Sequence, residues 1–340
     1  MRELKNLLEK MELSLRRHRL ISSGDAILIG VSGGADSTAL TLLLTKIQKK
    51  YRLRLAVAYL NHGLFPKQAA QHERFVKKLC GNLGLEFYSK KANVKKMARV
   101  GKRSLEEAGR DARYAFFQEI AAKHHWNKIA TAHTLDDQAE TILMRILRGT
   151  GLRGLTGIPS KRDTESGIPV IRPLLGISKK EIVLFLKKAK TPYCQDASNE
   201  SLDFTRNKLR KNFIPSLEKA FNPKLKESLA SLGQLGDGYR RYLDTEVARS
   251  FQKALLSSPA SSTKLRVLTL TGLPEATLSE VLLCAANRRR GRNSGLGFNH
   301  VASIIDILRS DENALEISLP GGLRVRKGQG TLEFIDTASK

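Results

Sequence analysis

Over the first half of the chain, short unbroken apolar runs alternate with stretches in which apolar positions recur every three or four residues. The runs at 26–31, 53–60 and 128–132 read as strands, and 86–90 adds a shorter one. The periodic stretches at 37–50, 67–79, 104–125 and about 135–147 read as helices with one buried face. Residues 170–174 read as extended, with Pro173 confining them to an edge or a strand exit. Ser104 with Glu107, and Ser178 with Glu181, have capping-box spacing, so one helix starts near 104 and another runs from 178 to 190. Strand–helix repetition of this kind predicts an α/β domain, a mostly parallel sheet flanked by helices.

Past Pro215 the pattern changes. Residues 217–251 read as helical and heavily charged, 278–288 as apolar and then basic, and 300–308 as a further helix. Residues 315–319, 323–327 and 331–335 read as short strands separated by glycine turns. At 340 residues the chain exceeds the usual size of one domain. Residues 1–215 are therefore expected to form one domain, and 216–340 a smaller, mainly helical domain with short terminal strands.

Charge narrows the class of partner. Fifty-nine Lys and Arg against 33 Asp and Glu leave a formal charge of +26. That excess points to a polyanion, with nucleic acid ahead of a membrane surface. Two basic zones could face it: 90–103, and Arg288-Arg289-Arg290-Gly291-Arg292. A single Trp argues against a stacking platform for long single strands. No apolar run is long enough to span a membrane, and residues 1–20 mix acids and bases without the core of a signal peptide. Cys80, Cys194 and Cys284 are far apart with no CxxC pair, which fits reduced thiols and a cytoplasmic location.

Three expected strand exits carry unusual chemistry. The first is Ser32-Gly33-Gly34-Ala35-Asp36-Ser37, a glycine-rich turn opening a helix. Glycines let the backbone approach an oxyanion, the hydroxyls donate, and Asp36 can hold Mg²⁺ against phosphate oxygens. The turn lacks the lysine of a Walker A loop and the GxGxxG of a dinucleotide fold. Its bland alternative is a tight turn with Asp36 as a helix cap. The second exit is Asn61-His62-Gly63. The third runs from Thr131 and His133 through Asp136, Asp137 and Glu140. There the paired carboxylates could bind Mg²⁺ and align a leaving pyrophosphate, although Thr134 and Asp137 also have capping-box spacing. Arg110, Arg113 and Tyr114 share a helix, where Glu106–Arg110 could equally be a surface pair. The loop 145–157 is basic, and Arg172, Asp196, Ser198, Asn199, Arg206, Asn207 and Arg210 form a further polar series.

These segments in order, SGGADS at 32–37, NHGL at 61–64, EEAGRDARYAFF at 106–117, ATAHTLDDQAET at 130–141, RILRGTGLRGLTG at 145–157, IRPLL at 171–175, DASN at 196–199 and RNKLR at 206–210, resemble the PP-loop ATP pyrophosphatases. Within that superfamily they are similar to the bacterial tRNA(Ile)-lysidine synthases. SGGADS alone indicates only the superfamily; the ordered set is specific. The resemblance implies an adenine nucleotide alpha hydrolase-like fold and a carbon–nitrogen ligase. It implies ATP and Mg²⁺ as cofactors, and tRNA(Ile) with a CAU anticodon and free L-lysine as partners. ATP would adenylate the C2 oxygen of the wobble cytidine, and the lysine ε-amine would then displace AMP.

It further implies that Ser32, Gly33, Gly34, Ala35, Asp36 and Ser37, with Asn61 and His62, bind the nucleotide. Asp36, Asp137, Arg113, His133 and Arg206 would be catalytic, and Asp36, Asp136 and Asp137 would hold the metal. Phe65 stands where these enzymes commonly carry Arg, which puts a role for that position in doubt. The resemblance is weaker in the later helical and glycine-turn regions, and the chain ends after them, so a complete extra C-terminal domain of the longer forms is expected to be absent or truncated. A homodimer is compatible with the chain, though no coiled coil marks one. A tRNA thiolase is the nearest alternative enzyme, disfavoured by the missing CxxC pair; a noncatalytic basic RNA-binding protein would not need both Asp136 and Asp137.

Overall fold

The computed structural model describes residues 2–195, 205–259, 261–290, 296–312 and 314–337. They divide into two compact units, Met1–Asp237 and Gly238–Lys340.

The first unit opens with helix α1 (Arg2–Arg17), not anticipated from the sequence. Its Leu7, Met11 and Leu15 recur every fourth residue and are buried, which fixes the helix by packing. Strand β1 (Ala26–Gly30) leads into α2 (Ala35–Tyr51), and β2 (Arg54–Asn61) into α3 (Pro66–Leu83). Strand β3 (Glu86–Lys91) is followed by α4 (Val94–Val100) and α5 (Leu105–Lys123). Then come β4 (Lys128–Ala130), α6 (Leu135–Leu147), α7 (Leu152–Leu155), β5 (Lys161–Arg162), β6 (Val170–Ile171) and α8 (Lys179–Lys188). Helix α9 (Thr205–Lys208), a π-helical turn at Leu209–Phe213, α10 (Ile214–Ala220) and the start of α11 (Leu225–Ala254) complete it.

The six strands lie in the order β3-β2-β1-β4-β6-β5, parallel except for β5. Alternate residues of each strand enter separate cores. Ile27, Ile29, Val57, Ala130 and Ile171 pack with α1, α2 and α8. Ala26, Leu28, Ala56, Ala58, Ile129 and Val170 pack with α4 and α5. Apolar residues on both faces are what a helix-covered parallel sheet requires, which explains the unbroken apolar runs. Strand β6 pairs with both β4 and β5, so it is an inner strand and Pro173 stands at its exit.

The connections β1–β2–β3 step outward on one side of β1, and β4 returns to the other. A crevice therefore opens at the carboxyl ends of β1 and β4, where the strand order reverses and ligands collect in open α/β sheets.

In the second unit, β7 (Leu255–Ser257), β8 (Ser262–Arg266), α12 (Val267–Thr271), α13 (Glu275–Arg290) and α14 (Phe298–Arg309) precede β9 (Glu316–Leu319), β10 (Leu323–Gly328) and β11 (Thr331–Asp336). The antiparallel sheet has the order β7-β8-β11-β10-β9, so the three expected strands are joined by two more. Leu323, Val325, Leu332 and Phe334 bury one face against the α13 and α14 core.

The boundary between the units falls inside α11, after the change of texture at 216. Leu225 and Leu229 of this helix pack on Ala139, Ile142 and Leu143. Gly233 permits the approach, since a Cβ there would lie 2.8 Å from Ile142 Cδ1. Among the described residues, no helix is long and apolar enough to cross a membrane.

Candidate active site

The SGGADS turn joins β1 to α2 at the switch point. Gly33 has φ +88°, a conformation that L side chains rarely adopt. Gly34 is the N-cap of α2 and offers no side-chain cap, so the first-turn N–H groups are left for an anion. The hydroxyls brace the turn: Ser37 Oγ accepts from Ser32 N (3.2 Å) and donates to Gly34 O (3.1 Å), and Ser32 Oγ lies 3.3 Å from Ser37 Oγ. Cys194 N donates to Gly33 O at 2.9 Å. Gly30, the last residue of β1, faces α5 so closely that a Cβ would lie 2.4 Å from Phe117 Cε2.

Across the crevice, β4 leads into α6, capped by Thr134. Asp137 completes a capping box, with Oδ2 accepting from Thr134 N (2.9 Å) and Thr134 Oγ1 (2.8 Å). Its Oδ1 is turned the other way, 3.8 Å from Lys179 Nζ and 3.4 Å from Arg210 Nη2. The same Lys179 ammonium lies 3.8 Å from Asp36 Oδ2. Burial pushes the Asp36 carboxyl up to about 6 against the pull of Lys179, with Asp137 and Asp136 adding to the rise. Burial opposes ionisation of Asp137 as well, but Lys179, His133 and the Thr134 amide outweigh it and hold that carboxyl down to about 2.

Lys179 thus stands as an internal cation between two carboxylates drawn from different strand exits. Among the described residues, no group of three or more His, Cys, Asp or Glu forms a metal cage. Two carboxylates beside a phosphate-binding turn are the donor set that Mg²⁺ uses together with nucleotide oxygens. Asp36 and Asp137 fit such an ion. Asp136 is committed elsewhere: Oδ2 accepts from Lys179 N at 2.7 Å, and Oδ1 pairs with Lys226 Nζ at 3.1 Å. Its expected place as a third metal carboxylate is not the one its hydrogen bonds give it; it anchors the first turn of α8.

Glu140, 1 % exposed, organises the arginines. Arg206 Nε reaches Glu140 Oε2 at 3.0 Å and its Nη2 reaches Thr141 Oγ1 at 3.3 Å. Arg210 bonds both Glu140 oxygens and extends to Asp137. Glu106 lies 3.7 Å from Arg206 Nη1, and among the described residues it forms no ion pair with Arg110.

His133 Nδ1 lies 3.1 Å from Thr131 Oγ1. Burial pushes the imidazole down to about 3, helped by Arg172, Arg206 and Arg110, so it is neutral at ordinary pH. Behind it, Tyr114 is ringed by cations, with Arg162 4.7 Å and Arg110 5.8 Å from its ring centroid and Arg172 Nη2 3.5 Å from its hydroxyl. At the neighbouring exit of β2, Asn61 Oδ1 accepts from Gly63 N at 2.9 Å, and His62 Nε2 lies 3.2 Å from Arg113 Nη2.

The structure therefore brings Ser32–Ser37, His133, Asp137 and Arg206 to one crevice, with Asn61, His62 and Arg113 at the adjoining strand end. Arg145 is tied to the Gly154 and Gly157 carbonyls (2.8 Å each), which spends one charge of the basic loop on holding that loop in place. Arg288 lies over Phe251, and Arg289 donates to Pro259 O and Ser258 Oγ, so these two serve the second unit's own packing. DASN at 196–199, and Gly291 and Arg292, lie outside the described residues. Sequence reasoning missed Lys179; its only signal was its place just after the Ser178 cap, at a fourth strand exit.

The PP-loop domain family matches residues 2–217. The tRNA(Ile)-lysidine synthase of Clostridium acetobutylicum is 34% identical over 319 residues, 94% of this chain and 68% of that protein. That of Clostridium tetani is 32% identical, covering 94% and 67%. That of Chlorobaculum tepidum is 31% identical over 96% of both chains. A U34-tRNA thiolase from Methanococcus maripaludis, solved with its [4Fe-4S] cluster, shares the fold at 19% identity and a TM-score of 0.59, over 69% of this chain and 80% of that one.

Proposed function

The chain belongs to the PP-loop family and, within it, to the tRNA(Ile)-lysidine synthases, and on that premise we propose that it joins free L-lysine to C2 of the wobble cytidine in the CAU anticodon of tRNA(Ile), using ATP. It is an ATP-using ligase. In the first step the cytidine C2 oxygen attacks the α-phosphorus, and the bond to pyrophosphate breaks. In the second, the lysine ε-nitrogen attacks C2, the bond to AMP breaks, and the amine gives up a proton.

The chain's own groups suit both steps. The Ser32–Ser37 turn and the start of α2 direct N–H and hydroxyl donors at departing phosphate oxygens. Lys179 and Arg210 place positive charge beside them, and Arg206, fixed through Glu140, adds another. Asp36 and Asp137 would hold Mg²⁺, which when bound offsets charge on the ATP phosphates. Neutral His133 can hydrogen-bond the reacting base without repelling a cationic lysine or its amine. Arg113, braced by His62, is assigned to the adenylated base or its phosphate.

One observation carries this reading: Asp36 and Asp137 meet at one ammonium in the crevice between β1 and β4. The test is incorporation of labelled lysine into CAU-anticodon tRNA(Ile), expected only with ATP and Mg²⁺ and lost in Asp36→Ala. No incorporation by well-folded protein, or an undiminished Asp36→Ala variant, sinks the proposal. Sulfur transfer without lysine uptake would favour a thiolase, and tight tRNA binding with no AMP release would favour a binding protein.

A further inference from the structure

A large uncompensated charge of the first unit lies beside the β2 exit. Between Glu86 and Glu106 the chain carries Lys90, Lys91, Lys95, Lys96, Arg99, Lys102 and Arg103 and no acid. All seven are exposed. Lys90 pairs with Glu119 and Arg103 with Asp111, while the other five reach no carboxylate among the described residues. Helix α4 creates this face. Val94 and Ala98, four residues apart, take its buried side, which turns Lys95, Lys96 and Arg99 outward.

The same edge is built tightly against the β2 loop. Ala92 N donates to Asn61 O at 2.8 Å, and a Cβ on Gly63 would lie 2.8 Å from Ala92 O. The joined loops leave a recess lined by Gly63, Pro66, Lys91, Ala92, Asn93 and Lys95. Phe65, between two of those positions, is 57% exposed. Three residues before it, His62 touches Arg113 of the candidate site.

Accepting the function proposed above, we infer that Phe65 with Lys91, Lys95, Lys96, Arg99 and Lys102 receives the single-stranded loop of the RNA substrate. An exposed ring beside cations fits unpaired nucleotides, whose bases offer faces for stacking and whose phosphates need neutralising. A paired stem would offer the ring nothing to stack on. An anionic membrane surface also attracts cations flanked by apolar side chains, but this recess adjoins the loop that carries His62 to Arg113. The inference therefore assigns Phe65 to a base next to the target cytidine and the lysines to the loop phosphates.

The test measures binding of a labelled RNA stem-loop with a CAU loop to the full chain across a salt series. Replacing Lys91, Lys95 and Lys96 together by Gln should weaken binding about 10-fold or more near 0.1 M salt. It should also flatten the log–log salt dependence by about 2, at ~0.7 per phosphate contact. Phe65→Ala should weaken binding ~5- to 100-fold with the salt slope unchanged, and Phe65→Trp should restore it. ATP affinity should stay within about 2-fold in all of them. Unchanged RNA affinity and slope in the triple variant overturn the inference. So does loss of anionic-vesicle binding in that variant with RNA binding intact. If wild-type protein incorporates lysine and the variants bind RNA normally, this inference alone fails. If wild type binds the stem-loop through these residues without incorporating lysine, only the function proposed above fails.

Discussion

Arg210 grips the buried carboxylate of Glu140 through two parallel hydrogen bonds, Nε to Oε1 at 2.6 Å and Nη2 to Oε2 at 2.9 Å. Arg206 adds a third to the same group. A buried acid holding two arginines is costly to remove, because both guanidiniums lose their counter-charge. Glu140→Gln should lower stability by about 3 kcal/mol or more, seen as a fall of several degrees in Tm. Arg210→Lys should weaken the binding of ATP, since an ammonium cannot reproduce the paired geometry that holds this charge in the crevice. Calorimetry with ATP titration checks both.

Asp36 should show opposed effects on stability and activity. Its folded carboxyl is raised to about 6 from an ordinary 3.8, so the folded protein binds this proton more tightly than the unfolded chain does. Stability drawn from the group is therefore lost as pH rises from about 4 through 6, and the penalty is complete above that. Asp36→Asn should raise the Tm of nucleotide-free protein at pH 7.5, by a gain that shrinks at pH 4. Adenylation should fall by about 10³-fold or more. A variant destabilised at pH 7.5 would contradict the assignment.

Lys179 competes for the carboxylates that a divalent ion needs. Lys179→Met should tighten Mg²⁺ binding in the absence of nucleotide, measured calorimetrically at pH 8, while slowing pyrophosphate release by about 10²-fold when ATP is present. Unchanged Mg²⁺ affinity would show that the ion sits elsewhere.

The pH dependence of kcat/KM for ATP should carry one acid limb near pH 6, from Asp36, and none from His133. The imidazole is already neutral well above about 3. His133→Asn should lower the whole profile without moving that limb. An acid limb that vanishes with His133 would reverse the two roles.

Gly30→Ala should force Phe117 aside, lowering stability by ~1–3 kcal/mol, and Phe117→Leu in the same chain should restore part of the loss. Thermal melts of the single and double variants suffice.

Much of this was legible in sequence because local rules agreed with the tertiary fold. The capping boxes at Ser104, Thr134 and Ser178 all form. At Asp137 the capping reading holds and leaves the other open, since one carboxylate oxygen caps α6 while the second is turned toward Lys179. What stayed hidden depended on long-range contact. Lys179 looks like any first-turn lysine until β6 places its helix beside β1 and β4. Glu140 and Arg210 carry no local sign of each other across 70 residues. The polar segment Ser262–Arg266 is held as a strand by its pairing with β11, not by its own propensity.

The divided carboxylate of Asp137 has a consequence for damaged copies of this protein. Losing that side chain removes half of the α6 capping box together with the oxygen assigned above to the metal, so a variant made inert at this position would also fray at the start of α6. Such a copy would be exposed to proteolysis before it could accumulate and occupy tRNA without modifying it.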